Sequence, residues 1–211
     1  MVSSFARDII GGEVREGGPA RFITELLMRY ERPYRLVTGE TIRVEIDPVC
    51  EESIVRSEAR IPSVPLQTPV LISTILREFD LTSLTVPFAI DIQGYVRNGR
   101  RLGGKQRWSE PALERAWLIK GTRREFSFVD QRFLSRNTTL LITDGERGFE
   151  VKGTEPVRMP ARPIDAPDTI GAGDTLFARF ALALIEGYGA RDAARLAQAD
   201  VESFLSAKVM T

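Results

Sequence analysis

A turn of small residues in front of an apolar helix constrains this chain more than any other feature of its sequence. The turn runs from Asp168 to Asp174 and reads Asp-Thr-Ile-Gly-Ala-Gly-Asp, and a helical apolar pattern follows over 175–185. The first N–H groups of a helix have no acceptor within the helix, and the helix dipole adds partial positive charge there. Such a helix start is a binding site for an anion, for example a phosphoryl group.

Asp174 is the unusual member of this turn, because a carboxylate repels an anion held by the neighbouring amides. Its presence is best explained by chemistry, since a carboxylate can take a proton from a hydroxyl that attacks phosphorus. The N–H groups of Gly171, Ala172 and Gly173 would then stabilise the transferring phosphoryl group, and donors of this kind contribute roughly 10²- to 10³-fold each. The alternative is an ordinary helix N-cap without chemistry. A Walker-type phosphate loop does not occur in the sequence.

Composition limits the class of protein and of catalyst. A length of 211 residues suits one well-packed domain, 1–211. The formal net charge of zero argues against nucleic acid or an anionic membrane as a partner. Cys50 is the only cysteine, so an intramolecular disulfide is impossible, and with no leader-like N-terminus we expect a cytoplasmic protein. Because the chain has no histidine, an acid–base catalyst must be Asp, Glu, Lys, Tyr or Cys.

Apolar runs alternate with helical patterns along the chain, which predicts an α/β domain with a mainly parallel sheet. The predicted strands are 1–10, 36–38, 41–46, 53–60, 69–73, 88–92, 116–119, 138–143 and 149–151. The predicted helices or helical turns are 20–30, 75–79, 112–116, 124–129, 175–186 and 190–208, and 97–111 is predicted as a surface loop. Ligands bind outside the carboxyl ends of such strands, where Asp91, Lys120 and Thr143 fall.

The string from Asp168 to Asp174 resembles the signature of the ribokinase-like (PfkB) carbohydrate kinase family, Asp-Thr-x-Gly-Ala-Gly-Asp. The likeness continues in order along nearly the whole chain. It implies a ribokinase-like three-layer sandwich with a mainly parallel central sheet flanked by helices, and the shortness of this chain implies a reduced lid. Ser4–Asp8, Gly17–Ile23 and Asp91–Arg97 are similar to an inositol-kinase-like branch.

The resemblance also assigns roles to individual residues. Asp174 becomes the general base, with Gly171, Ala172 and Gly173 as the anion hole. The implied metal contact is Glu125, which would help to hold hydrated Mg²⁺, although Thr122 replaces the asparagine of that family motif. The implied substrate contacts are Asp8, Gly17, Gly18, Asp91, Arg97 and Asp168. The implied nucleotide contacts are Lys120, Thr143, Gly145 and Gln198.

Together these features predict an ATP-dependent, Mg²⁺-using kinase of a sugar or polyol, with myo-inositol as a candidate acceptor. A nucleoside kinase would share the chemistry, and Phe22 would offer its base an aromatic surface. A non-catalytic ligand-binding member of the fold and an interaction module that uses an edge strand at 41–46 are further alternatives. We expect a monomer or a homodimer. Lys120 reaches a phosphate or bridges a carboxylate, and Asp91 and Arg97 face substrate or pair with each other.

Overall fold

The apolar runs between residues 70 and 159 form most strands of the central sheet. A computed structural model of the protein describes residues 1–10, 12–46, 53–65 and 67–209. The central sheet has the strand order β1-β6-β7-β8-β9-β10-β11, and β1, β6, β7, β8 and β9 are parallel. Its strands are β1 (Val2–Ser3), β6 (Val70–Ser73), β7 (Phe88–Asp91), β8 (Ala116–Thr122), β9 (Thr139–Thr143), β10 (Phe149–Lys152) and β11 (Val157–Met159). The prediction of a mainly parallel sheet is confirmed.

A second, smaller sheet has four strands in the order β3-β2-β4-β5. They are β2 (Ala6–Ile10), β3 (Glu13–Gly17), β4 (Ile42–Ile46) and β5 (Ser53–Val55). The prediction of one strand over 1–10 is wrong in this respect, because β1 lies in the central sheet and β2 in the smaller one. Between them the carbonyl of Ser4 accepts from the Ala20 N–H at 3.0 Å, and that of Phe5 accepts from the Ile42 N–H at 3.0 Å. These bonds turn the chain from one sheet to the other.

Side chains alternate across the parallel strands and form two cores. Three long helices cover one face: α1 (Pro19–Arg29), α4 (Ala172–Ile185) and α5 (Ala190–Val209). The opposite face is covered by α2 (Gln93–Val96), α3 (Arg123–Phe126) and short 3₁₀ turns. Leu71, Ala89, Leu118 and Leu141 face the long helices, whereas Ile72, Ile90, Ile119 and Ile142 face the short segments. Because alternate side chains of each strand enter different cores, consecutive positions such as Leu71 and Ile72 are both apolar.

The predictions for 75–79, 36–38 and 97–111 also differ from the structure. Residues 75–79 form no helix, because the Glu78 carboxylate accepts from the N–H groups of Ile75 (3.2 Å) and Leu76 (2.9 Å) and closes a turn instead. Residues 36–38 form a single bridge, between Val37 and Val2. The predicted loop 97–111 is not all at the surface, because Trp108 is buried and stacks on Tyr95 with ring centroids 5.0 Å apart.

Cys50 lies outside the described residues. Within 1–10, 12–46, 53–65 and 67–209, no helix combines the length and the apolar character needed to span a bilayer. The division of the chain into one domain, 1–211, remains a prediction.

The start of α4 is fixed by a close contact with α1. Gly171, the N-cap of α4, has φ 90° in the left-handed region. A Cβ placed on Gly171 would lie 2.6 Å from the ring of Phe22, which in turn packs edge-on against Phe204 of α5 with centroids 5.8 Å apart. Glycine is therefore required at this position by both the backbone angle and the neighbouring ring.

We expect Gly171→Ala to lower the free energy of unfolding by about 2–4 kcal/mol, because it combines left-handed strain with an overlap against Phe22. Gly187→Ala is the matched control. Gly187 also has φ 90°, but a Cβ placed on it would meet no atom within 4 Å, so we expect a loss of about 1 kcal/mol. Denaturant unfolding measures both. Equal losses would contradict the steric role of Phe22.

Candidate active site

The carboxyl ends of the parallel strands meet the start of α4 at one edge of the central sheet. Ser73 ends β6, Asp91 ends β7 and Thr143 ends β9, while Lys120 lies near the end of β8 in register with Asp91. The Ser73 hydroxyl donates to Asp174 Oδ1 at 3.2 Å and so joins β6 to the first turn of α4. The predicted residues Asp91, Lys120 and Asp174 are thus brought to the edge where ligands bind in open α/β sheets.

Asp174 is a nearly enclosed carboxylate, with 9% of the residue exposed. Its pKa is raised to about 6, mainly by burial and in part by the nearby charge of Asp91. Lys120, the Ser73 hydroxyl and Arg97 act in the opposite direction. A carboxyl group with a pKa near 6 changes its protonation state close to neutral pH, which suits a general base.

Lys120 and Asp91 form a buried ion pair beside this carboxylate. Lys120 Nζ lies 2.6 Å from Asp91 Oδ2, and the two side chains are 7% and 0% exposed. Burial works against the charge of Lys120, but attraction by Asp91, Asp174 and Glu125 together outweighs it and raises the pKa of the ammonium group. A Cβ on Gly173 would lie 3.0 Å from Lys120 Nζ, so the ammonium group directly faces the first turn of α4.

Some amides of the turn donate to acceptors within the turn, and others have no acceptor in the described part of the chain. The Ala172 N–H donates to the carbonyl of Thr169 at 3.1 Å, and the Ile170 N–H donates to Asp168 Oδ1 at 2.9 Å. The Ala172 amide is therefore bonded within the turn, and its role in an anion hole stays a prediction. Among the described residues no acceptor is bonded to the N–H groups of Gly171 or Gly173. These two remain the candidate donors.

The small sheet contributes the predicted acceptor contacts. Asp8 is 9% exposed, its carboxylate accepts no hydrogen bond from the described residues, and burial raises its pKa. A Cβ on Gly17 would lie 2.2 Å from Asp8 Oδ2, so glycine leaves the space that this carboxylate occupies. Gly18 has φ 85° and is the N-cap of α1. Asp8 is thus a nearly buried acceptor group without a donor, as expected of a residue that binds a substrate hydroxyl.

Arg97 and Asp91 do not form an ion pair, because Asp91 bonds to Lys120 instead. Arg97 Nη1 donates to the carbonyl of Ile75 at 2.6 Å, and Nη2 lies 3.4 Å from Gln93 Oε1. Its buried Nε has no partner among the described residues. Burial lowers the pKa of Arg97, while surrounding carboxylates oppose that effect. Arg97 and Asp91 nevertheless lie near the same group, because the charges of both act on the pKa of Asp174.

Other predicted contacts are occupied within the protein. The Asp168 carboxylate accepts from Ile170 and bonds to Lys208 Nζ, so it anchors the turn to α5. Gln198 Nε2 donates to the carbonyl of Pro160 at 2.8 Å and to Glu202 at 3.0 Å.

Thr143 Oγ1 lies 3.5 Å from the Gly121 carbonyl, and no atom lies within 4 Å of a Cβ built on Gly145 (φ 55°). The end of β9 therefore remains the more open of the predicted nucleotide contacts.

Both carboxylate oxygens of Glu125 accept hydrogen bonds from the protein itself. With Thr122 it forms a capping box at the start of α3, in which Glu125 Oε2 accepts from the Thr122 N–H at 2.8 Å. Glu125 Oε1 accepts from Lys105 Nζ at 2.9 Å. In the described parts of the chain, no group of three or more Asp, Glu, His or Cys residues is arranged to hold a metal ion. Because both Glu125 oxygens already accept donors of the protein, the residues present do not fit an Mg²⁺ ion coordinated directly by Glu125.

Two residues of this edge, Ser73 and Lys105, were not predicted from the sequence. Ser73 could have been found, since it is the polar residue that ends a continuous apolar strand on the ligand side of the sheet. Lys105 lies in a polar, glycine-containing segment and carries no comparable signal, apart from being one of only four lysines among 29 basic residues.

Comparison with known sequences gives a family match to part of the chain. The sequence model described as pfkB family carbohydrate kinase matches residues 109–199. The bifunctional protein HldE of Caulobacter sp. (strain K31) is 49% identical over 59 residues, 27% of this chain. Ribokinase of Bacillus subtilis (strain 168) is 44% identical over 59 residues, 28% of this chain. The matches span only 12% and 20% of the lengths of these relatives.

Solved structures resemble the chain over nearly its whole length. A pyrophosphate-dependent kinase of the ribokinase family, complexed with a pyrophosphate analog and myo-inositol, has a TM-score of 0.76 at 18% identity and covers 100% of this chain and 95% of its own. A nucleoside kinase of Burkholderia thailandensis in complex with inosine has a TM-score of 0.65 at 15% identity and covers 95% and 87%. Ribokinase of Arabidopsis thaliana with ribose and ATP has a TM-score of 0.65 at 14% identity and covers 95% and 89%.

At such identities the structures establish the fold alone. The fold is shared along the chain, and the sequence match includes the signature turn and the strands β8 and β9 that carry Lys120 and Thr143. The resemblance to the ribokinase-like (PfkB) carbohydrate kinase family is thereby confirmed, by sequence over residues 109–199 and by fold over the whole chain.

Proposed function

We propose that this protein is a kinase that transfers the terminal phosphoryl group of ATP to a hydroxyl group of a sugar or polyol. One observation carries the proposal: the buried Asp174 carboxylate lies at the start of α4, bonded to Ser73 and next to the Lys120–Asp91 pair. A buried base beside a buried cation and helix-start amides without an acceptor suits proton removal from an alcohol next to a phosphoryl group.

The proposed step uses groups that the chain provides. Asp174 takes the proton of the acceptor hydroxyl, the acceptor oxygen forms a bond to the terminal phosphorus, and the bond from that phosphorus to the bridging oxygen breaks. ADP leaves with the electron pair of the broken bond. Lys120 and the N–H groups of Gly171 and Gly173 face the developing negative charge. Mg²⁺ bound to the donor phosphates would neutralise part of their charge.

The acceptor class follows from the character of Asp8. A nearly buried carboxylate without an internal donor suits a ligand rich in hydroxyl groups, because each hydroxyl can supply the missing bond. The sequence resemblance to an inositol-kinase-like branch makes myo-inositol the first candidate. Nucleosides are the second, since the half-buried ring of Phe22 lies beside Gly171 at the same helix start.

The donor needs a direct comparison of ATP and pyrophosphate. Gln198, the predicted contact on the adenine side, has its amide nitrogen engaged by Pro160 and Glu202. This weakens the case for a nucleotide-specific side chain at α5. A similar structure is that of a pyrophosphate-dependent kinase, so pyrophosphate is a reasonable second donor for this chain.

A panel of acceptors and donors tests the function. The protein is incubated with myo-inositol, common sugars or nucleosides, each with Mg²⁺ and either ATP or pyrophosphate, and phosphomonoester formation is followed by ³¹P NMR. We expect a new phosphomonoester with a polyol or sugar. Product with nucleosides alone would support the nucleoside alternative, and no product in any combination would refute the kinase proposal in favour of a non-catalytic protein.

Replacing Asp174 by Asn should remove the base and keep the fold. We expect kcat to fall by about 10²- to 10⁴-fold. Folding raises the pKa of Asp174 from 3.8 to about 6. The ionised carboxylate therefore lowers the free energy of unfolding, beginning as the pH rises through 3.8 and fully above about pH 6. The amide has no such cost, so the melting temperature of Asp174→Asn at pH 8 should equal or exceed that of the wild type. Near-normal turnover at saturating substrates would exclude Asp174 as the base.

The pH dependence of the wild-type reaction should report the same carboxyl group. Because only the ionised base accepts a proton, we expect kcat/KM to rise about tenfold per pH unit below the pKa of about 6 and to level off above it. Initial rates between pH 4.5 and 8.5 measure the profile. The residual rate of Asp174→Asn serves as the control and should lack this inflection. A wild-type profile that is flat from pH 5 to 7 contradicts the assignment.

A further inference from the structure

Lys105 is held firmly at the base of a hairpin-like loop between α2 and the segment before β8. Arg97 and Lys105 face each other in an antiparallel bridge. The Gln106 N–H donates to the carbonyl of Val96 at 2.8 Å, and the Asn98 N–H donates to that of Gly104 at 3.0 Å. These bonds fix the backbone on both sides of Lys105, so its side chain has a defined direction.

That side chain ends in a nearly enclosed ion pair. Lys105 Nζ and Glu125 Oε1 are 2.9 Å apart, with the side chains 11% and 7% exposed. The second oxygen of Glu125 is bound by the capping N–H of Thr122. Burial opposes the negative charge of Glu125, but these donors and the charge of Lys120 outweigh burial and lower its pKa. Glu125 is therefore an ionised carboxylate whose partner cation is already a part of the protein.

The two lysines of this region, Lys105 and Lys120, each form a nearly buried ion pair with a carboxylate. Lys105 pairs with Glu125 and Lys120 pairs with Asp91, and Lys120 acts electrostatically on both Glu125 and Asp174. Only four of the 29 basic residues of the chain are lysines, yet two are nearly buried at this edge of the sheet. An ammonium group is a compact charge that binds phosphate oxygens well.

We propose that Lys105 occupies, on Glu125, the position that a protein-held Mg²⁺ would take, and that Lys105 and Lys120 form the cationic side of the donor phosphate site. The second part rests on the proposed kinase function, whereas the first does not. The asparagine of the family metal motif is replaced by Thr122, whose hydroxyl accepts from the Glu125 N–H at 3.1 Å and is committed to the capping box. The contacts with Lys105 and Thr122 direct Glu125 toward the protein and away from a metal ion.

The metal part of the proposal is tested without any substrate. Mn²⁺ alone is titrated into the wild type and into Glu125→Gln, and free Mn²⁺ is read by electron paramagnetic resonance. We expect the two proteins to bind Mn²⁺ equally, with no site that depends on Glu125. A wild-type Mn²⁺ site that is lost in Glu125→Gln would overturn the proposal. Because the wild type is the main sample, the result does not depend on how well a variant at Lys105 folds.

The donor part is tested by metal-free binding of pyrophosphate and of ATP, measured by isothermal titration calorimetry in EDTA. Lys105→Gln keeps a hydrogen-bond donor for Glu125 but removes the charge, and we expect its Kd for the better-bound donor to rise at least tenfold. Lys105→Arg keeps the charge and should remain within about threefold of the wild type. Lys152→Gln is the matched control, since Lys152 pairs with Glu150 at 3.4 Å on the surface and is 56% exposed.

The outcomes separate this inference from the proposed function. If the wild type binds a donor and Lys105→Gln binds it as well as Lys152→Gln does, the donor role of Lys105 is wrong while the kinase proposal stands. If the wild type binds neither donor and yields no product in the acceptor panel, the kinase proposal and the donor role both fail. The Mn²⁺ titration then still decides whether Glu125 holds a metal ion. Should Lys105→Gln not fold, Lys105→Arg decides, because a tenfold loss with the charge retained also contradicts a purely electrostatic role.

Discussion

The enclosure of Asp174 at the start of α4 is the constraint on which the rest of this region depends. A carboxylate removed from water is costly unless neighbouring groups compensate for the lost solvation. Here the compensation comes from different parts of the chain: the Ser73 hydroxyl on β6 and the Lys120 ammonium on β8. Each lies at the carboxyl end of a parallel strand, so the register of the central sheet sets the environment of the carboxyl group.

Charges at this edge of the sheet are arranged in linked pairs. Lys120 neutralises Asp91 and Lys105 neutralises Glu125, whereas Asp174 has a hydroxyl donor and forms no direct ion pair with any residue that the structure describes. Burial raises the pKa of both Asp91 and Asp174, to about 6 for Asp174, so the two carboxyl groups differ in the direct cation that only Asp91 has. Under the proposed mechanism this difference assigns the roles, since the paired carboxylates hold cations in place and the unpaired one can exchange a proton.

The segment between Arg97 and Lys105 connects this edge to the small sheet. Its ends contribute the two basic side chains, and its middle bonds to β5, where the Val55 N–H donates to the carbonyl of Arg100 at 2.8 Å and the Leu102 N–H donates to that of Ser53 at 2.9 Å. The same sheet carries Asp8 on β2. A movement of the small sheet would therefore act on both the proposed acceptor contact and the cations of the proposed donor site.

The sequence by itself determined the parallel sheet and the helix start with Asp174, because both are local patterns. A continuous apolar run indicates a strand buried on both faces, and the first amides of a helix lack an acceptor within the helix in any fold. The tertiary structure alone decided which groups are free. It placed the Ala172 amide against Thr169, covered Gly171 with Phe22, engaged Gln198 with Pro160, and brought Lys105 to Glu125 across twenty residues of chain. Apart from the bond between Ala172 and Thr169, which is local, these pairings depend on distances between segments that are remote in sequence, and no local pattern specifies them.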